Sequence, residues 1–257
     1  MKNESILSSI PKISYTEATP EIDTKEFVKV VESRRSVRVF DGTPIPEAVV
    51  ESCLDLALLA PNSSNLQAWE FYWVRSKENK EALVKACLSQ PAASTAAELF
   101  VAVARTQTWK RHSQQMLAEL ERSETHVPSS AKAYYQKIVP LAYSLGPLSA
   151  LGLLKRIVLF FVGISKVVPR EPVSKSDMRI WASKSTALAC ENLMLAFRAY
   201  GYDTCPMEGL DSKRVRKILH LPKDAFVVMA ISAGKRAQNG VYGPRIRFPK
   251  DQFVKRI

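Results

Sequence analysis

Three stretches of this 257-residue chain carry side chains suited to gripping a phosphorylated ligand. Arg34, Arg35 and Arg38 place three guanidinium groups within five residues, with Ser36 among them. Arg245 and Arg247 add two more in the run PRIRF near the C-terminus. Guanidinium forks pair bidentately with phosphate oxygens, and for that planar recognition Arg is preferred over Lys. The loop from Pro61 through Asn62, Ser63, Ser64 and Asn65 to Gln67 is rich in hydroxyl and amide groups, which suit sugar-like hydroxyls. Together the three stretches describe a cradle for a phosphorylated, polyhydroxylated ligand. Each alone has a plainer reading: RRSVR as a solvated helix end, NSSN as an ordinary loop, PRIRF as a strand edge kept soluble by charge. Spacing alone does not bring the three together.

Other chemistries find little support. The chain has no G-x-S-x-G, no H-E-x-x-H, no Walker loop and no G-x-G-x-x-G. Its four cysteines, Cys53, Cys87, Cys190 and Cys205, lie far apart, and only three histidines are present. A metal site and a disulfide framework are therefore not expected, and buried reduced thiols are. The formal net charge of +12 favours anionic partners: phosphate-bearing cofactors, nucleic acid or anionic membrane. The first 25 residues hold no apolar core of signal-peptide length, so the cytoplasm is the expected location.

At 46% apolar and 24% charged residues, the chain suits one domain with a substantial core. Residues 1–23 read as a polar N-terminal extension and 24–257 as a single domain. A helix capped by Thr24 runs to Ser33, with Phe27, Val30 and Val31 on one face. A second runs from Pro46 to about Leu59, with Val49, Val50, Cys53, Leu54, Ala57 and Leu58 as its apolar face. Strands are predicted at 70–75, 99–105 and 225–233, and helices at 77–88, at 183–200 and from the Asp211 cap to Leu219. The helix at 183–200 is expected to bury Ala187, Cys190, Met194 and Phe197, and residues 203–209 read as a loop. Residues 109–180 form a helical insertion: a charged helix at 109–123, a loop at Pro128, a helix from Ser129 and an apolar segment at 145–168. Lys155 and Arg156 interrupt that segment, each costing roughly 2.5–3.5 kcal/mol at a bilayer centre, so a spanning helix is rejected. Two readings of it remain. One is a buried or dimer-covered helix; the other is peripheral membrane contact through 145–168, with cations facing anionic lipid.

The pattern SRRSVRVF, PIP and LALLAPNSSNLQAWEFYWV resembles the N-terminal signature of the nitroreductase family of FMN enzymes. ENLMLAFRAYGYDTCPMEGLD is similar to its second signature and GPRIRFPKDQFV to its third. The resemblance covers 25–108 and 181–254, in matching order and spacing. It implies an α+β fold, with a central, mostly antiparallel sheet covered by helices, in an intertwined homodimer with C-terminal arm exchange. It implies an enzyme that passes electrons from NADH or NADPH through FMN to a nitroaromatic, quinone or similar small-molecule acceptor, by a ping-pong mechanism.

Carried over by position, Arg34, Arg35 and Ser36 stand where the family binds the FMN phosphate and ribityl chain. Arg38 stands at flavin N1 and O2, where it would stabilise the reduced flavin. Pro61, Asn62, Ser63 and Asn65 come from the partner subunit's copy of the loop. Gln90 approaches the pyrimidine edge; Pro206, Met207, Glu208 and Gly209 line the ring; Arg245 and Arg247 clamp the phosphate. The nicotinamide donor then binds without a Rossmann domain, on the exposed flavin face. Ala68 departs from the family's usual proline and Asn62 from its commoner serine. The insertion is longer than in the smallest members and is expected to roof the flavin and set acceptor size.

Two other classes remain in view. One is a basic protein of nucleic acid or membrane surfaces, suggested by the net charge, the run Lys213-Arg214-Val215-Arg216-Lys217 and the 145–168 segment, although no nucleic-acid motif appears. The other is a membrane-associated quinone reductase on the same flavin fold.

Overall fold

The computed structural model describes residues 15–124 and 127–257; residues 1–14 of the expected N-terminal extension, and His126, lie outside the described residues. Four strands, β1 (Trp69–Val74), β2 (Glu98–Arg105), β3 (Asp203–Met207) and β4 (Ala225–Gly234), form one sheet in the order β1-β2-β4-β3. Every pairing is antiparallel, so the fold is the expected helix-covered α+β. β3 corrects the loop expected at 203–209. It is five residues long and contains Pro206, which a strand tolerates at a sheet edge, where β3 lies.

Ten helices surround the sheet among the described residues. They are α1 (Thr24–Ser33), α2 (Glu47–Leu58), α3 (Lys77–Ala86), α4 (Pro91–Ser94), α5 (Trp109–Arg122), α6 (Ser129–Ala133), α7 (Val139–Tyr143), α8 (Ala150–Ser165), α9 (Lys175–Ala199) and α10 (Ser212–Ile218). Side chains alternate across a strand, and β2 is buried on both faces. Phe100 and Ala102 meet Val50 and Cys53 of α2 and Leu193 and Phe197 of α9. Leu99, Val101 and Val103 meet Leu83 of α3, Ala92 of α4 and Val215 of α10. This is why the LFVAVA run is continuously apolar instead of alternating.

Local chemistry moved several predicted boundaries. Asp23, not Thr24, caps α1: its Oδ1 accepts from Lys25 N at 2.8 Å. α9 starts at Lys175 because Ser174 Oγ accepts from Asp177 N (3.1 Å) while Asp177 Oδ2 accepts from Val173 N (2.9 Å), a reciprocal cap the sequence reading missed. Cys190, Met194 and Phe197 are buried on α9 as expected, but Ala187 faces out. α3 ends at Ala86, and Leu88 and Ser89 turn left-handed beyond it. The single helix expected from Ser129 is α6, a π turn at Tyr134–Ile138 and α7. All four cysteines are free and buried. Burial pushes the thiols of Cys53 and Cys190 up to about 12 and that of Cys87 to about 11, which keeps them protonated.

At one end of the sheet Arg105 bonds both Glu70 and Asp224, with Nε 3.0 Å from Asp224 Oδ2. Burial alone raises the Asp224 carboxyl, but the hydrogen bonds and charge of Arg105 outweigh it and hold the group below its ordinary value. A depressed carboxyl contributes stability above its unfolded pKa, about 3.9, and loses it as pH falls through the folded value. In Asp224→Asn the fall in urea midpoint between about pH 6 and about pH 3 is therefore expected to be smaller than in the parent protein. An unchanged fall would assign the acid sensitivity to other groups.

Candidate active site

The chain leaves α1 at Arg34 in extended conformation and runs alongside the β3 edge. Ser36 bridges Thr204, and Val37 N donates to Thr204 O at 3.1 Å. Val37 and Phe40 are buried and anchor this run, while Arg38 between them points to solvent. Phe40 packs on Gly234 so closely that a Cβ there would lie 2.8 Å from the ring, so glycine is required. After β4 the tail folds back along the same run. Ala237 N donates to Val39 O (3.1 Å), Arg38 N to Gly240 O (2.7 Å) and the Arg35 guanidinium to Gly243 O (2.6 Å). Arg245 donates to Arg34 O, and the Arg38 guanidinium lies 5.5 Å from the centre of the Tyr242 ring.

The outcome is one recess of about 200 Å³ lined by Arg34, Arg35, Ser36, Arg38, Arg245 and Arg247, together with Pro244 and Ile246. Five guanidinium groups line it and no carboxylate does. The nearest recorded counter-charge is Glu191, 3.4 Å from Arg34 Nε on the side of α9. Sequence reasoning paired the two arginine runs; it missed Gly240, Tyr242 and Gly243, whose GVYGP turn folds the tail back.

Gln90 joins this side of the molecule. Its Nε2 donates to Gly209 O at 3.2 Å and to Cys87 O at 3.0 Å. Pro206 and Met207 end β3, and Met207 is buried in the core. Glu208 and Gly209 are exposed, and no atom lies within 4 Å of where a Gly209 Cβ would sit. Burial raises the Cys205 thiol and the Arg38 charge lowers it in part, which sets that charge beside β3. Asp203, buried at the start of the strand, is held by Arg198 (3.0 Å) and Arg236 (2.7 Å).

The loop holding Pro61, Asn62, Ser63 and Asn65 is elsewhere. It precedes Trp69, which pairs with Ala104, whereas Thr204 pairs with Ala233 at the other end of β4. Three strand spacings across and seven residues along separate these corners by roughly 25 Å. Ser64, Asn65 and Gln67 hold positive φ, and the insertion braces them. Tyr143 Oη bonds Ser63 Oγ (2.9 Å) and Ser64 Oγ (3.1 Å), Tyr134 Oη bonds Ser64 Oγ (2.7 Å), and His112 Nδ1 donates to Leu66 O (2.7 Å). Beside the loop, Trp109, Tyr143, Met178, Lys175 and Arg179 help line a cavity of about 610 Å³. No sequence signal pointed to these tyrosines as loop supports.

An α+β sheet with an arginine-lined recess at one corner and a braced polar loop at the other defines the class. A model of the nitroreductase family matches residues 31–235. A Thermus thermophilus protein named NADH dehydrogenase is 28% identical over 224 residues, 86% of this chain and 91% of that one. YdgI of Bacillus subtilis, whose name assigns it to the NAD(P)H nitroreductases, is 26% identical over 88% of this chain and 95% of its own. An Exiguobacterium sibiricum protein solved in complex with FMN superposes with a TM-score of 0.62 at 24% identity, covering 95% of this chain and all of that one. The chain belongs to the nitroreductase family and is an oxidoreductase of that family.

Tyr143→Phe removes the hydroxyl that spans Ser63 and Ser64, each bond being worth about 1 kcal/mol. Amide exchange across 61–67 is expected to quicken several-fold while exchange in β2 stays unchanged. Equal rates in the loop would show that the backbone alone holds it.

Proposed function

We propose that this chain is an FMN-dependent enzyme that oxidises NADH or NADPH and reduces a nitroaromatic, quinone or similar small acceptor by a ping-pong mechanism. The observation that carries the reading is the recess lined by five guanidinium groups and no carboxylate. A flavin mononucleotide phosphate bears about two negative charges near neutral pH, by analogy with phosphorylated side chains, and this donor set fits it. FMN, when bound, supplies the hydride chemistry, so the protein needs no nucleophile or acid–base pair of its own. The raised thiols and the missing hydrolase motifs agree with that division of labour.

The protein's part is to bind and orient. Arg34, Arg35 and Ser36 take the phosphate and ribityl chain, and Arg245 and Arg247 close over the phosphate. Arg38 keeps a fixed cation at the β3 edge, which stabilises negative charge at the pyrimidine end. Gln90, Pro206, Met207 and the exposed Glu208 and Gly209 flank the ring, and the open space at Gly209 admits a flat group. Pro61, Asn62, Ser63 and Asn65 act on the partner subunit's flavin in a homodimer, with the insertion carried along as a roof.

Support for the dimer comes from apolar surface the chain leaves open. Phe27 and Val31 of α1, Leu58 and Leu59 at the end of α2, and Ile246, Phe248 and Phe253 of the tail are all exposed. That tail is the arm we assign to exchange. The expected location is the cytoplasm. Nucleic-acid binding gains no such support. In α10 Arg214 pairs with Asp211, Arg216 donates to Ala225 O and Pro222 O, and Val215 is core, so the basic run is an ordinary helix face.

Arg245→Ala combined with Arg247→Ala is expected to release most of the flavin on dialysis while the protein stays dimeric by sedimentation; full retention of flavin absorbance overturns the phosphate assignment. Double-reciprocal plots at varied donor and acceptor are expected to be parallel, and intersecting lines overturn the ping-pong reading.

A further inference from the structure

Helix α8 is mounted inside out. Its least exposed residues are Gly152, Lys155, Leu159 and Gly163, which share one face at helical spacing; every other residue of α8 is exposed. Polar contacts and close backbone approach hold this face. Lys155 Nζ donates to Leu141 O (2.8 Å) and Ala142 O (2.9 Å), which ties the helix to the end of α7. Arg170 donates to Leu159 O and Gly163 O, both at 2.9 Å. A Cβ on Gly152 would lie 2.3 Å from the Val173 carbonyl oxygen. A surface helix of a soluble protein normally turns its apolar stripe inward. Here Leu153, Leu154, Ile157, Phe160, Phe161 and Ile164 face out, with Phe161 64% and Ile164 74% exposed. Such a patch marks an interaction surface.

We propose that this face docks the protein on an anionic phospholipid membrane, with α8 lying in the plane of the interface. The apolar arc is one reason. At about 100° per residue these six side chains cover about 120° of the helix circumference, and the exposed Leu151, Val158 and Val162 widen the apolar arc to roughly 200°. A single packed neighbour takes a stripe of only about 100°, whereas a lipid interface accepts the whole arc. Charge is the second reason. Residues 127–180 contain eight Lys and Arg against two Asp and Glu; with Lys155 and Arg170 committed to carbonyls, six cations remain in the segment that carries the apolar face, a basic setting that suits anionic headgroups.

Length separates docking from spanning. Pro147–Ser165 passes as a membrane span by length and composition alone. The α-helical part, however, is 16 residues long, about 24 Å against about 30 Å of hydrocarbon. Lys155 and Arg170 also bind its inner side to the protein body. This inference stands independently of the flavin assignment.

The test is flotation of the full chain as purified with two kinds of vesicle: phosphatidylcholine containing about one third phosphatidylglycerol, and phosphatidylcholine alone. The protein is expected to float with the anionic vesicles, and Leu154→Glu with Phe161→Glu to reduce the bound fraction by about tenfold or more. Because both side chains are exposed, the double variant is expected to keep its circular dichroism and, without lipid, its sedimentation. Four results would each overturn the proposal. They are no flotation of the parent protein, equal flotation of the variant (adsorption by charge alone), resistance of bound protein to alkaline extraction (a spanning helix), and a variant-dependent change in sedimentation without lipid (a protein–protein face).

Discussion

Five guanidinium groups around one recess repel one another, by about 1 kcal/mol for a pair 4 Å apart even in water and more in a less polar setting. The protein holds them against that repulsion with backbone carbonyls. Arg35 is bound to Gly243 O and Arg245 to Arg34 O, while Arg38 is fixed through its own amide to Gly240 O. These ties join a segment near residue 35 to one near residue 245, and they exist only because the tail doubles back after β4. Gly234 lets Phe40 lie against that strand, and buried Val37 keeps the arginine run in register with Thr204. The site's charge is thus assembled by main-chain geometry: carbonyls hold the Arg35 and Arg245 side chains at the recess, and the Arg38 amide sets the position of its own.

The sheet that carries this recess also keeps loop 61–67 away from it. Loop 61–67 sits beyond β1 and the arginines beyond β3, the two outer strands, at opposite ends. A rigid four-stranded sheet cannot fold those corners together. In the family-based reading the second copy of the chain solves this, and the exposed tail, α1 and the end of α2 are the surfaces available to it. The tyrosines that brace the loop belong to the insertion, so loop and insertion move as one body. α8 is a separate matter: its outward apolar arc lies in a basic segment of the chain, and its inner face is already committed to carbonyls and glycines.

Much of the fold was legible because burial leaves a periodic trace. β1, β2 and β4, helix α2 and the start of α10 fell within a residue or so of expectation, since apolar runs and the Asp211 cap are local signals. The errors arose where the signal was short or reciprocal. β3 is too brief, and too much interrupted by Pro206, to read as a strand without β4 beside it. The onset of α9 rests on two hydrogen bonds of Asp177, its amide to Ser174 Oγ and its carboxylate from Val173 N, in a stretch whose prolines suggest a linker. Ala187 was assigned inward because its neighbours are apolar, but the phase of a 25-residue helix is set by what packs on it.

By itself the sequence determined the residue types of the site, its family and the layout of the secondary elements. Those depend on side-chain chemistry and on contacts between near neighbours. Only the tertiary structure decided which of these residues meet. It joined Arg34, Arg35 and Arg38 with Arg245 and Arg247, drew Gln90 to Gly209, set loop 61–67 at the far corner and turned the apolar side of α8 outward. The reason is physical: a register slip of one residue in β3 or a rotation of about 100° in α8 would leave the local pattern as it is and reverse each of those outcomes.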